Sequence, residues 1–172
     1  MSVVLRIRAA RADEYAAIGV LTADSYAQVL ADGEDDPYRA DLLDAQARAE
    51  NAELLVALDG DKLAGTVTIG RPGSSYAEVA HGDELEVRML AVAPEYARQG
   101  VGGQLMARVH QIAEVEGFQA LVLSVISSNK AALAFYDHLG YERQPTRDWL
   151  PRDDMELHLL VLTRQVKRSY AD

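Results

Sequence analysis

A run of glycines before a helical pattern is the stretch of this sequence best suited to chemistry. The run Gln99–Gly103 reads QGVGG, and apolar residues then recur at helical spacing, at Leu105, Val109 and Ile112. Glycine lets a ligand approach the backbone because no Cβ stands in the way. The first N–H groups of a helix lack internal partners, and the helix dipole adds partial positive charge there. We therefore expect an anion such as a pyrophosphate to bind here, with tight helix packing as the alternative.

The elements on either side of this run would hold it in place. The stretch Leu85–Val92 before it is apolar and rich in strand-forming residues, and Leu121–Val125 after the helix forms a second apolar strand. Asn129 is then a candidate N-cap for another helix, which Gly140 is placed to end at its C′ position. The predicted order is strand, glycine-rich turn, helix, strand, helix.

Three marks in this stretch occur together and in a fixed order. The first strand ends in Met89–Pro94, the run Gln99–Gly103 follows, and the last helix carries Asn129, Ala132, Tyr136, Gly140 and Tyr141. Together they resemble the GNAT superfamily of acyl-CoA-dependent N-acetyltransferases, whose signature over that helix reads N-x-x-A-x-x-x-Y-x-x-x-G-[FY]. The resemblance covers about a third of the chain.

One position of the glycine run departs from the family's pattern. The family's turn commonly begins with glutamine or arginine, whereas this sequence has Ala97 there and Arg98 one position later. Because the backbone donors of the turn remain, the resemblance still implies cofactor binding, with Arg98 as the compensating side chain.

The resemblance implies acetyl-CoA as cosubstrate and no metal. The turn would hold the pyrophosphate, the strand end would pair with the pantetheine arm, and the N–H of Leu90 or its neighbour would polarise the thioester. The cofactor-binding residues implied in this way are Leu90, Ala91, Val92, Arg98, Gln99, Gly100, Val101, Gly102, Gly103, Gln104, Asn129 and Tyr136. From the residues alone, the strand side chains could equally be core, and Asn129 could be only a helix cap.

Two residues are the candidate catalytic groups. Tyr136 matches the family's tyrosine that protonates the departing CoA thiolate, and a phenol is neutral and able to donate at pH 7. Glu86 matches a position that some members use for the base, and strand alternation places it on one face with Arg88. The alternatives are a core tyrosine, a salt bridge between Glu86 and Arg88, and Glu84 or ordered water as the proton acceptor.

The residues that would bind the amine acceptor are less clearly indicated by the sequence than those for the cofactor. Clustered carboxylates in Asp32–Asp36 could attract a cationic amine, or could simply form a solvated loop. Several aromatic residues could wall an acceptor pocket or pack in the core, namely Tyr26, Tyr38, Tyr76 and Trp149.

Composition limits the classes of partner. The 172 residues carry a formal charge of −10 and no basic cluster, so a nucleic-acid partner is not expected. No apolar run approaches the roughly 20 residues of a membrane span, and we expect no secretory signal in the first residues, which carry arginines in and after a short apolar run. The chain has no cysteine, and its four histidines lack metal-ligand spacing. We expect a cytoplasmic protein, with monomer and homodimer both open.

The predicted fold is α+β in a single GNAT-like domain over residues 1–172. Strands are expected at Val3–Ile7, in a hairpin turning at Asp59–Asp61 and at Met155–Thr163, with a helix over Arg39–Asn51. The resemblance implies a mixed sheet of about six to seven strands, about four helices, and fourth and fifth strands that splay apart. It also divides the domain into an acceptor side (about 1–80), a cofactor core (about 85–141) and C-terminal strands (about 141–165).

The predicted function is transfer of an acetyl group from acetyl-CoA to a primary amine by direct attack. No cysteine is available for a covalent enzyme intermediate. The alternative is a non-catalytic acyl-CoA-binding or regulatory domain of the same fold. The identity of the amine and the length of the acyl chain are not readable from the sequence.

Overall fold

A seven-stranded mixed sheet forms the centre of the computed structural model, which describes residues 3–30, 32–151 and 158–166. The strands lie in the order β1-β2-β3-β4-β5-β7-β6, and every neighbouring pair is antiparallel except β4 and β5. Their bounds are β1 Arg6–Ala9, β2 Glu53–Asp59, β3 Lys62–Gly70, β4 Glu84–Val92, β5 Ala120–Ile126, β6 Glu142–Arg143 and β7 Leu159–Gln165. This mixed sheet confirms the predicted α+β class.

Five α-helices cover the two faces of the sheet in the described part of the chain. They are α1 Tyr15–Tyr26, α2 Arg39–Leu43, α3 Ala45–Asn51, α4 Val101–Glu116 and α5 Lys130–His138. The single helix expected over residues 39–51 is divided at Asp44, whose backbone leaves the helical region with ψ at 69°. The Asp44 carboxylate accepts the Ala47 N–H at 3.0 Å, so it caps α3 at the point where α2 ends.

The strand predictions agree with the structure most closely at the β2–β3 hairpin, where the turn residues give a clear local signal. The hairpin of β2 and β3 turns at Gly60, which has a φ of 60°. The first strand begins three residues later than predicted, at Arg6. The last strand runs over Leu159–Gln165, and the predicted residues 155–157 lie outside the described residues.

The parallel pair β4 and β5 opens into a gap. Its strands share register only where Glu84–Glu86 faces Ala120–Val122. Beyond this point β4 continues beside β3 and β5 continues beside β7, so the rest of β4 and β5 diverge. The splay that the family resemblance implied is therefore present.

Helix α4 is fixed firmly against the sheet beside this gap. Leu105 and Val109 are fully buried in the main core, and each such burial is worth roughly 2 kcal/mol. Close approach also depends on Gly65 of β3, where a Cβ would lie 2.9 Å from Val101 and 3.0 Å from Leu105. The packing holds the start of α4 at the end of β4.

No helix among the described residues is long and apolar enough to cross a membrane.

Candidate active site

A cavity of about 1230 Å³ occupies the gap between β4 and β5. Alternate side chains of β4 point to opposite faces, with Leu85 and Val87 in the core under α4 and Arg88 on the face of α1–α3. The cavity is lined at one end by Gly100–Gly103 of α4 and at the other by Tyr38, so it joins the two sides of the sheet.

The turn before α4 presents backbone donors to the cavity. Gly100 is the N-cap residue with a φ of 80°, and no side chain caps the helix. The N–H groups of residues 101–103 therefore lack the side-chain acceptor that a capping residue would supply. Arg98 also has a positive φ, 62°, and lines the cavity. The arrangement suits an anion, because uncapped N–H groups and a guanidinium lie at one end of the cavity.

The two glutamines of this turn have other partners. Gln99 donates its side-chain Nε2 to the Glu95 carbonyl at 3.0 Å, and Gln104 donates Nε2 to the Val3 carbonyl at 2.7 Å. Neither glutamine lines the cavity. Their side chains secure the turn to its surroundings, so any ligand contact from them would come from the backbone.

Gly102 serves close packing as well as access. A Cβ there would lie 3.1 Å from Cζ of Phe135 in α5 and 3.7 Å from Val92 in β4. At Gly103 the same addition would meet nothing within 4 Å. The tight-packing alternative therefore holds at Gly102, together with its place in the cavity wall.

A β-bulge interrupts β4 beside the gap. Arg88 faces Thr68 and Ala91 faces Thr66, so Met89 and Leu90 together oppose the single residue Val67. Met89 has a φ of 54°, a conformation uncommon for a residue with a side chain. In the described register Met89 and Leu90 have no partner on β5 either. The bulge thus places Met89 and Leu90, which both line the cavity, at the part of β4 where the resemblance placed the thioester.

Tyr26 of α1, which lines the cavity, holds this bulge through its side chain. Its hydroxyl donates to the Leu90 carbonyl at 3.1 Å, and burial raises the pKa of this phenol. Tyr26, Tyr38 and Trp149 all line the cavity, as the acceptor-wall hypothesis expected, while Tyr76 instead places its ring beside Arg88. The contact to Leu90 could not be read from the sequence, because it joins residues 64 positions apart.

Tyr136 and Asn129 lie on the α5 side of the cavity. Tyr136 is 7% exposed, and burial raises the pKa of its phenol well above the ordinary value. Its ring makes edge-to-face contacts with Phe135 at 5.0 Å and Tyr141 at 5.4 Å. The Oδ1 atom of Asn129 accepts the Ala132 N–H at 3.2 Å, which confirms its helix-capping role. Both residues also line the cavity. The ligand contacts predicted for them stay predictions.

Glu86 is buried on the α1–α3 face and lines the cavity. Its carboxylate accepts three backbone N–H groups, from Glu78 at 3.2 Å, Val79 at 2.7 Å and Ala80 at 2.9 Å. Burial raises the pKa of Glu86, and the three N–H donors oppose that rise without reversing it. The carboxylate therefore fastens the β3–β4 loop to the sheet, and its predicted role as base has to coexist with that task.

Glu84, the second candidate base, is held by a different partner. Arg147 donates to both of its oxygens, at 2.8 and 2.9 Å, and the His81 N–H donates at 2.8 Å. Burial would raise the pKa of Glu84, but these donors hold it below its ordinary value. Glu84 does not line the cavity.

The acidic linker, residues Asp32–Asp36, contributes less to the cavity than its charge suggested. Asp36 alone of the four acids lines it, and its carboxylate accepts the N–H groups of Tyr38 at 2.9 Å and Asp32 at 3.4 Å. The other three acids, Asp32, Glu34 and Asp35, are exposed. Two acids that the sequence did not single out, Asp41 and Glu78, also line the cavity.

The chain matches a known protein family and is similar in sequence to several known proteins. The family model described as the acetyltransferase (GNAT) family matches residues 17–141. The chain is 38% identical over 73 residues to the ribosomal protein bS18-alanine N-acetyltransferase of Escherichia coli K12, an alignment that covers 42% of this chain and 49% of that protein. It is 33% identical over 90 residues to N-alpha-acetyltransferase 30 of Schizosaccharomyces pombe, covering 51% and 56%. The chain thus spans about half the length of these curated relatives.

The whole fold is similar to that of a solved acetyltransferase. The PaiA N-acetyltransferase of Thermoplasma acidophilum, in complex with coenzyme A, matches with a TM-score of 0.70 and 15% identity. The match covers 92% of this chain and 98% of that one. At this identity the likeness concerns the fold alone.

Proposed function

The chain belongs to the acetyltransferase (GNAT) family, and on this premise we propose that it transfers an acetyl group from acetyl-CoA to a primary amine by direct attack. The observation that carries the proposal is the continuous cavity of about 1230 Å³, which joins the uncapped start of α4 to the buried phenol of Tyr136. A cavity of this size has room for a cofactor arm and an acceptor together.

The residues at the start of α4 fit the cofactor's phosphates. The N–H groups of Val101, Gly102 and Gly103 would bind the pyrophosphate, and Arg98 would add a positive charge at the same end. Acetyl-CoA, when bound, supplies the acetyl group as a thioester. The bulge at Met89 and Leu90 would direct a main-chain N–H at the thioester carbonyl and stabilise charge developing on its oxygen.

Proton transfers are assigned to two side chains. The Tyr136 phenol stays protonated near neutral pH because burial raises its pKa, so it can donate to the departing thiolate. The amine must lose a proton before or as it attacks. Glu86 could take that proton through the acceptor capacity that remains on its carboxylate, directly or by way of a water.

Replacing the base is expected to change the pH profile. Glu86→Gln should lower kcat by about tenfold, because water can take over part of the proton transfer. The wild-type kcat should fall as the pH drops through the pKa of Glu86, which burial raises. The variant should lack that acidic limb. Steady-state rates across pH provide the measurement, and an unchanged profile would leave Glu86 as a loop anchor only.

Removing the hydroxyl that holds the bulge is expected to slow the chemical step. Tyr26→Phe deletes the donor to the Leu90 carbonyl, an interaction worth about 1 kcal/mol, or about fivefold in kcat. The affinity for acetyl-CoA should change little, since the turn at α4 is untouched. The matched control is Tyr15→Phe, on the same helix but outside the cavity wall. Equal kcat values for the two variants would contradict the role given to Tyr26.

One observation favours the rival function, a non-catalytic acyl-CoA-binding domain. Both oxygens of Glu86 already accept backbone donors, as in a purely structural carboxylate. The two functions separate in one experiment, which measures CoA release from acetyl-CoA in the presence of a panel of amines. The panel includes a peptide with an N-terminal alanine, because the Escherichia coli relative is a ribosomal-protein alanine N-acetyltransferase. Amine-dependent release supports the transferase, and binding without release supports the rival.

A further inference from the structure

A half-buried guanidinium opens into the α1–α3 end of the cavity. Arg88 lies on β4 two residues before Leu90, and its side chain is 16% exposed. Its Nη2 group donates to the Tyr38 hydroxyl at 2.8 Å, and its carbon Cζ lies 5.6 Å from the centre of the Tyr76 ring. Two aromatic side chains therefore hold this cation in place beside the proposed site of acetyl transfer.

Arg88 retains hydrogen-bonding capacity toward the cavity. A guanidinium has five N–H donors, and the described hydrogen bonds of Arg88 use Nη2 only. Nη1 reaches the Glu78 carboxylate at 3.5 Å, which is long for a charged hydrogen bond, and that carboxylate is 42% exposed. Such a solvated ion pair is weak, so a ligand carboxylate could take the place of Glu78.

The neighbouring charges do not neutralise Arg88 firmly. Two buried acids that line the cavity already have donors, since Glu86 accepts three backbone N–H groups and Asp36 accepts two. Arg48 adds a second positive charge that interacts electrostatically with Tyr38, Tyr76 and Arg88, and its side chain is fully buried. Its described hydrogen bonds go to the carbonyls of Asp41 and Leu42 and to the Thr22 hydroxyl, none of them an anion.

We infer that Arg88 binds a carboxylate of the acceptor, and that the acceptor is a small amine carrying such a group, an amino acid. The inference rests on the proposed function, because it names the acceptor of that same reaction. A guanidinium matches a carboxylate through two parallel N–H donors, which fixes orientation as well as charge. An amino acid is a zwitterion without net charge, so the chain's formal charge of −10 does not repel it.

The test compares amino acids with their own amides. Rates of CoA release are measured for the free amino acids, for the matching amino acid amides, for simple alkylamines and for a peptide with an N-terminal alanine. Wild-type protein is compared with Arg88→Gln, and Arg108→Gln removes an equal charge from an exposed position of α4. The acid-to-amide ratio of kcat/KM is compared between proteins, which cancels the difference in amine basicity between acid and amide.

Arg88→Gln is expected to lower this ratio by about 10- to 100-fold, the range for a hydrogen-bonded charge pair, with the amide rates nearly unchanged. Arg108→Gln should leave the ratio as in wild type. Arg88→Lys, which keeps the charge but loses the paired donors, should lower the ratio partway and provides the comparison if Arg88→Gln does not fold.

The contradictory outcomes separate the two claims. The amino acid acceptor would be overturned, and the transferase left intact, if amides, alkylamines or the peptide reacted as well as the acids. An acid-to-amide ratio of kcat/KM that Arg88→Gln and Arg88→Lys leave unchanged would have the same consequence. Release of CoA with none of these amines would overturn the proposed function, and the acceptor inference with it.

Discussion

Gly102→Val is expected to weaken acetyl-CoA binding by at least about 100-fold, equivalent to about 2.7 kcal/mol. A Cβ at this position would already lie 3.1 Å from Phe135 and 3.7 Å from Val92. The two further methyl groups of valine would fill the gap between β4 and α5, beside the N–H groups proposed to bind the pyrophosphate. Calorimetric titration of acetyl-CoA into both proteins measures the effect.

The control for this prediction separates cofactor block from damaged packing. Phe135→Leu shortens the side chain that the valine would contact, so the double variant Gly102→Val/Phe135→Leu relieves that clash. Its melting temperature should recover toward that of Phe135→Leu alone, whereas its acetyl-CoA affinity should stay low. Wild-type affinity in a folded Gly102→Val protein would remove the glycine turn from the cofactor site.

Tyr136→Phe is expected to lower kcat by about 100-fold while leaving acetyl-CoA affinity nearly unchanged. The substitution keeps the ring and its edge contacts with Phe135 and Tyr141, and removes only the hydroxyl proposed to protonate the thiolate. The effect must be measured where chemistry limits turnover, by single-turnover kinetics with saturating amine.

Tyr141→Phe is the matched control for that loss. Tyr141 is also a buried tyrosine in contact with Tyr136, but its hydroxyl has no hydrogen-bond partner among the described residues and does not line the cavity. Its removal should leave kcat close to wild type. If the two variants turned over equally fast, Tyr136 would be a core residue and the thiolate would leave without its help.

The sequence predicted the part of the site that depends on local patterns. Glycine at position 100 adopts a positive φ at the start of α4, and Asn129 caps α5. Helical spacing identified the buried face of α4, because one side of that helix packs on the sheet. These features follow from rules that act within a few residues, so a single sequence contains enough information to reveal them.

Contacts between segments that are far apart in the chain could not be predicted from the sequence. Strand alternation correctly placed Glu86 beside Arg88, but it suggested that the two could pair with each other. In the structure Glu86 binds the backbone of residues 78–80, and Arg88 binds Tyr38, 50 positions away. The β3–β4 loop that provides the partners of Glu86 has no periodic pattern, so nothing local predicts where its N–H groups point.

In the acidic linker, likewise, the sequence could not predict which carboxylates would face the solvent and which would turn inward. Asp32–Asp36 was expected either to attract a cationic amine or to lie in solvent, and the structure divides it. Asp36 turns inward to accept two backbone N–H groups, a local role that aspartate often takes in turns. Composition counts its negative charge equally with the exposed acids, although its hydrogen bonds are already made.

Single-turnover transfer of a labelled acetyl group tests the central claim most directly. The protein is mixed with acetyl-labelled acetyl-CoA and the amine panel, and mass spectrometry follows the label in the amine, the cofactor and the protein. Direct transfer predicts label in an N-acetylated amine, in amounts equal to the CoA released, with none attached to the protein. Label that stays in bound acetyl-CoA with every amine would contradict catalysis, and label on the protein that then passes to the amine would contradict direct attack.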